Sequence, residues 1–251
     1  MSPSRPAVTR TPDRSVRSPQ RHAHVVEHLR DTIVEVTPRL RGWLHLAVVP
    51  LTLAGGIVLV VLSPNGATRA GSAIFASSAL LLFGVSAAYH CGTWSPRTRR
   101  MLRCLDHCNI FVLIAGSCTA FALLLLSPQD STPLLAIVWS SALLGVVTRF
   151  LWPDAPEWLS PPIYVACGWG ALLFLPGFLD GAARLGDVGA ATLVLLATGG
   201  AVYTAGGVVY GLKRPDPWPR VFGFHEVFHA LTVVAFVSHY TGIVLATSAL
   251  R

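Results

Sequence analysis

Charge is what this chain has least of. Only 12% of its 251 residues are Asp, Glu, Lys or Arg, against about 25% in a soluble domain. With 53% hydrophobic residues gathered in long runs, this excludes an ordinary soluble domain and predicts an all-α integral membrane protein. Cysteine is scarce as well. Cys91, Cys104, Cys108, Cys118 and Cys167 are odd in number and show no scaffold spacing, which argues against a disulfide framework. They read as reduced side chains packed in or near the bilayer, and Cys104 and Cys108 (C-x3-C) carry no metal role by themselves. No signal peptide is expected, because the first apolar stretch begins only near residue 43 and no small-residue cleavage site follows it.

Three regions follow along the chain. Residues 1–21, rich in Ser, Pro and Arg, lack the apolar content for a core and are expected to form a disordered basic tail. Residues 22–38 place Val25, Leu29, Ile33 and Val36 at helical spacing, as in an amphipathic helix lying on a membrane surface. His22, His24 and His28 there read as solvated surface histidines. Residues 39–251 hold seven apolar segments, at about 43–63, 71–91, 107–127, 133–152, 161–179, 189–211 and 224–249. Each is near the ~20 residues that cross a bilayer. The fifth is interrupted by Pro176-Gly177. The expectation is a seven-transmembrane helix bundle.

The net charge of +7 could point to nucleic acid, but its placement points to topology. With the N-terminus inside, sixteen of the nineteen Lys and Arg fall on the inner side, and Arg69, Arg184 and Arg251 remain outside. The positive-inside rule then predicts a cytoplasmic N-terminus and an external C-terminus. Membrane lipids, not nucleic acids, are the expected partners.

Ionisable residues at membrane depth are costly, so each is a functional candidate. On this topology His90 closes the second span, Asp106 and His107 open the third, and His225, Glu226 and His229 open the seventh. All lie at the cytoplasmic end. His225 and His229 are i, i+4 and share a helical face, as do Ser86 and His90. A catalytic zinc site takes three protein ligands and leaves a fourth position for water. His90, His225 and His229 make such a metal set, with Asp106 free to hold or deprotonate the water. His107, about 100° round from Asp106, and His45, which opens the first span, read as packing or supporting residues. His239, about 15 Å deeper than His229, reads as a hydrogen-bonding residue within the bundle. In the sixth segment Gly199, Gly200, Gly206 and Gly207 suit close helix approach. Tyr203 and Tyr210 share a nearby face, to pack or to line a cavity.

SAAYH (Ser86–His90), LDHCNIFVLIAG (Leu105–Gly116) and GFHEVFH (Gly223–His229) resemble the hemolysin III family, the bacterial branch of the group that includes the adiponectin and progestin receptors. Leu40–Pro64 and Gly199–Pro217 are similar to that family too, so the resemblance covers about residues 38–248. It implies a zinc ion (Zn2+) among His90, His225 and His229 near the cytoplasmic face, with Asp106 and Ser86 beside it. It also implies a multi-pass bacterial plasma-membrane protein. Cys108 and Asn109 stand where relatives often read Ser-Gly, and a later Tyr-Thr-Pro stretch is replaced around Ser117–Phe121. Neither change removes a ligand.

The resemblance implies a zinc-dependent, ceramidase-like hydrolase of lipid amides or esters, with Asp106 positioning the water and shuttling its proton and Ser86 donating a hydrogen bond. Three other readings stand beside it: a cytolysin acting by membrane damage or pore formation, a receptor-like membrane sensor with structural zinc, and an intramembrane protease. The protease reading takes HEVFH as H-E-x-x-H with Glu226 as base, but no later L-D-G stretch supplies its third ligand.

Overall fold

A computed structural model describes residues 40–64, 66–152 and 159–251. The expected tail at 1–21 and surface helix at 22–38 lie outside the described residues. The described chain is helical throughout, apart from a single β-bridge between Trp218 and Phe222. The helices are α1 (Trp43–Leu62), α2 (Gly66–Cys91), α3 (Pro96–Leu125), α4 (Pro128–Leu151), α5 (Ser160–Trp169), α6 (Leu175–Ala183), α7 (Asp187–Leu212) and α8 (Phe224–Ala249), with a 3-10 turn at Gly170–Phe174 joining α5 to α6. Among the described residues, seven spans are long and apolar enough to cross a membrane, the fifth being the α5–α6 segment.

Polar residues stop a hydropathy run without stopping a helix. α3 begins eleven residues before its apolar segment because Ser95 caps it, accepting from Thr98 N–H at 3.3 Å, and Pro96 occupies the first turn. Ser127 and Pro128 repeat the device at α4. The fifth span departs from expectation in another way. Its helix tightens at Gly170–Phe174, before Pro176, and Pro176 sits in the first turn of α6, where it is tolerated.

α3 is the central helix, packed against α2, α4, α5, α6 and α8, while α1 closes against both α2 and α8. Phe75 and Phe83 of α2 meet Phe236 of α8 at 5.5 and 5.2 Å between ring centres, filling the middle of this half with aromatic area. At the end away from α8's first turn, three arginines each donate to a carbonyl at or near a helix C-terminus. Arg69 reaches Ser63 O (2.9 Å), Arg184 reaches Leu125 O (2.8 Å) and Arg251 reaches Leu62 O (2.8 Å). These carbonyls have no partner within their own helix, so cations suit them.

Candidate metal centre and adjoining cavity

Two helix ends and the interior of a third helix carry the site. His90 lies in the last turn of α2, where the Trp94 indole N–H donates to Ala88 O at 2.8 Å and satisfies that end. Asp106 sits about three turns inside α3. It therefore does not balance the positive end of its helix. It faces Ser86, whose hydroxyl hydrogen-bonds it, and His90, whose Nε2 lies 3.8 Å from Oδ2. Asn109, one of the residues that departs from the family pattern, donates to Leu81 O at 3.2 Å and ties α3 to α2 close to Asp106.

His225 and His229 stand in the first two turns of α8. That start is fixed by Glu226, the third residue of the helix, which accepts from Gly223 N–H at 2.8 Å, the return half of a capping box. Its other oxygen accepts from Arg41 Nε at 3.0 Å. Glu226 is fully buried, and both its oxygens are occupied. The residue that H-E-x-x-H would make a base anchors the helix and the chain leading into α1.

No local pattern marks Arg41, or Gly42 after it, as part of the site. Gly42 has φ +85°, a backbone region that favours glycine. A Cβ at Gly42 would lie 2.7 Å from the Cβ of His90. Chain conformation and close approach thus both demand glycine where α1 meets His90. His45, one turn further on, is buried and stacks on His229 with ring centres 3.9 Å apart.

The three expected ligands come together. The His90, His225 and His229 ligand atoms all lie within 4.8 Å of one another. His90 Nε2 and His225 Nε2 are 3.3 Å apart, and two nitrogens bound at about 2.05 Å to a tetrahedral zinc stand about 3.3 Å apart. His229 Nδ1 is buried without a hydrogen-bond partner. Three imidazoles at this spacing fit a metal ion of zinc's type.

His107 falls behind the cluster. Its Nδ1 pairs with Arg103 O at 2.7 Å, and its Nε2 lies 3.5 Å from the Tyr210 hydroxyl. Cys108 is no part of the metal group. It is buried beside Cys104, whose thiol reaches Arg149 O of α4 at 3.7 Å.

A cavity of about 360 Å³ adjoins the cluster. Ser86, Asp106, His107, Tyr210, His225 and His229 line one end. It continues between α3, the fifth span, α7 and α8 to Phe178 and Leu193, walled mostly by apolar side chains. The levels of Tyr210 and Leu193 on α7 are about 25 Å apart. The glycines of α7 divide their work. Gly199 and Gly206 face α8, where a Cβ on Gly199 would collide with the His239 ring and one on Gly206 would meet Phe228 at 3.4 Å. Gly200 lines the cavity, and a Cβ there would meet nothing within 4 Å.

A family model for "Haemolysin-III related" proteins matches residues 34–240. A "Hemolysin-3 homolog" of Bacillus subtilis (strain 168) is 32% identical over 163 residues, 64% of this chain and 69% of the relative. "Hemolysin-3" of Bacillus cereus is 25% identical over 182 residues, 71% of this chain and 77% of the relative. The "Adiponectin receptor protein" of Drosophila melanogaster is 26% identical over 181 residues, 67% of this chain and 40% of that longer protein. With most of its length matched and its helices in place, this multi-pass membrane protein belongs to the haemolysin-III-related family.

Proposed function

We propose that the protein is a zinc-dependent hydrolase that cleaves lipid amides or esters inside the membrane. The observation that carries this reading is the long apolar cavity that starts at Asp106, His225 and His229 and runs along the bundle. An acyl chain fits such a wall, and its polar linkage then lies beside the ionisable cluster at that end. His90, His225 and His229 hold the metal, which when bound polarises a carbonyl and acidifies water.

The chain's own residues do the rest. Asp106 Oδ2, near His90 Nε2, receives a proton from water and returns it to the leaving nitrogen or oxygen. Ser86 hydrogen-bonds that carboxylate. Its burial in α2 keeps the geometry. His45, stacked on His229, blocks that ring from turning. The apolar wall excludes bulk water from the linkage. The basic residues of the α2–α3 and α7–α8 ends favour the cytoplasmic side for the cluster, in a bacterial plasma membrane.

Metal analysis of purified wild type beside His225→Ala tests the site, with a stoichiometric ion expected in the first and lost in the second. Zinc-dependent fatty-acid release from lipid amides, lost in Asp106→Ala, tests the activity. The names of the Bacillus relatives favour a second reading, lysis of membranes. Ion leak from liposomes that contain only this protein would support it. A third reading, a sensor with structural zinc, rests on likeness to the Drosophila receptor, and metal without turnover would support it.

A further inference from the structure

The deeper part of the cavity is not uniformly apolar. His239 of α8, Tyr203 of α7 and Ser117 of α3 all line it. His239 and Ser117 are more than nine-tenths buried. His239 Nδ1, Tyr203 Oη and Ser117 Oγ are each buried without a hydrogen-bond partner. Unpartnered buried polar atoms are rare in folded proteins, because each has given up water for nothing. Three on one cavity wall mark a place where a ligand's polar group belongs.

The chemistry of that group follows from the tautomer of His239. Its Nε2 lies 3.2 Å from Leu196 O, a carbonyl that only accepts, so Nε2 carries the hydrogen. In the neutral ring Nδ1 is then a lone-pair acceptor. The imidazole is held there on three sides. Gly199 leaves room for it, and the Phe121 and Tyr203 rings stand edge-on with centres 5.3 and 5.4 Å away. A fixed acceptor beside two hydroxyls, each able to donate, suits a group that both donates and accepts. A hydroxyl does so; a ketone or an ether lacks the donor.

We infer that His239, Tyr203 and Ser117 form a subsite for a hydroxyl carried partway along the acyl chain of the bound lipid. This rests on the reading of the cavity as a lipid-chain pocket. His239 lies ten residues beyond His229 on α8, about 15 Å along the helix. An extended chain advances about 1.2 Å per bond, so the hydroxyl belongs about twelve carbons from a head held at the histidine cluster.

Equilibrium binding of free acids to the full-length protein in nanodiscs tests this without turnover. The probes are octadecanoic acid, 12-hydroxyoctadecanoic acid, its 12-oxo counterpart and 5-hydroxyoctadecanoic acid. The 12-hydroxy acid is expected to bind about tenfold more tightly than octadecanoic acid, with the 12-oxo and 5-hydroxy acids showing no such gain. Tyr203→Phe and, separately, Ser117→Ala should shrink that preference while leaving octadecanoic acid binding unchanged. Equal binding of hydroxylated and plain acids would overturn the subsite but leave the lipid pocket standing. So would a preference untouched by both substitutions. If none of the acids bind, the pocket reading and the subsite fall together.

Discussion

The third and fifth spans differ more than any other two. In the third, 72% of the most apolar window is buried inside the protein; in the fifth, 6% is. The third is one continuous helix, capped by Ser95, that carries Asp106 at the centre of the bundle. The fifth is two short helices joined by a 3-10 turn, with Leu173 exposed and Leu172 lining the cavity. Groups that must meet to a few tenths of an ångström sit on helices whose positions are fixed by packing on several sides. The wall that contacts only the apolar length of a ligand has little packing of its own and few constraints.

Substitutions that add bulk sharpen this contrast most. A Cβ on Gly116 in the third span would collide with Ser78 of α2, whereas one on Gly170 in the fifth meets nothing within 4 Å. Gly116→Val is expected to cost about 3 kcal/mol or more, lowering the unfolding temperature in detergent by many degrees or preventing recovery of the folded protein. Gly170→Val is expected to change stability by no more than about 0.5 kcal/mol. Equal tolerance at the two positions would break the comparison.

Next comes Arg41→Ala, which leaves the fully buried Glu226 without its partner. Stranding a buried charge costs about 3 kcal/mol. Because the same carboxylate holds the start of α8, metal affinity should fall along with thermal stability, as calorimetry and metal titration would show. Asp106→Ala acts on chemistry: hydrolysis, followed by fatty-acid release, should drop about 100-fold or more while bound metal and fold persist. The smallest effect belongs to the fifth span. Trp169→Phe removes a 2.9 Å hydrogen bond to Thr204 at an exposed position, a change of about 0.5 kcal/mol or less in unfolding free energy.

Legibility in the sequence follows the same division. Seven spans could be read because apolar runs mark membrane helices directly. The true starts of α3 and α4 could not be read from hydropathy, although Ser95-Pro96 and Ser127-Pro128 spell them as caps. Pro176-Gly177 marks the interruption of the fifth apolar run, but hydropathy does not show that the helix tightens a few residues earlier, at Gly170–Phe174, with Pro176 in the first turn of α6. His90, His225 and His229 emerged because helical spacing and shared depth are sequence properties. The stacking of His45 on His229, the pairing of Arg41 with Glu226 and the approach of Gly42 to His90 depend on how α1 closes against α8. No local pattern states that contact. Glu226 shows the cost: its motif suggests a base, and its environment makes it a clamp.

Gly200 has a consequence for chain length. It lines the cavity one turn from Tyr203 and Thr204, and a side chain added there enters open space. A Cβ at this position takes volume from the cavity without touching its walls. If the cavity takes an acyl chain, as proposed, Gly200 is a stop on a ruler: Ala, Val and Leu in turn should shift the preferred chain to shorter lengths, in a protein that folds as before.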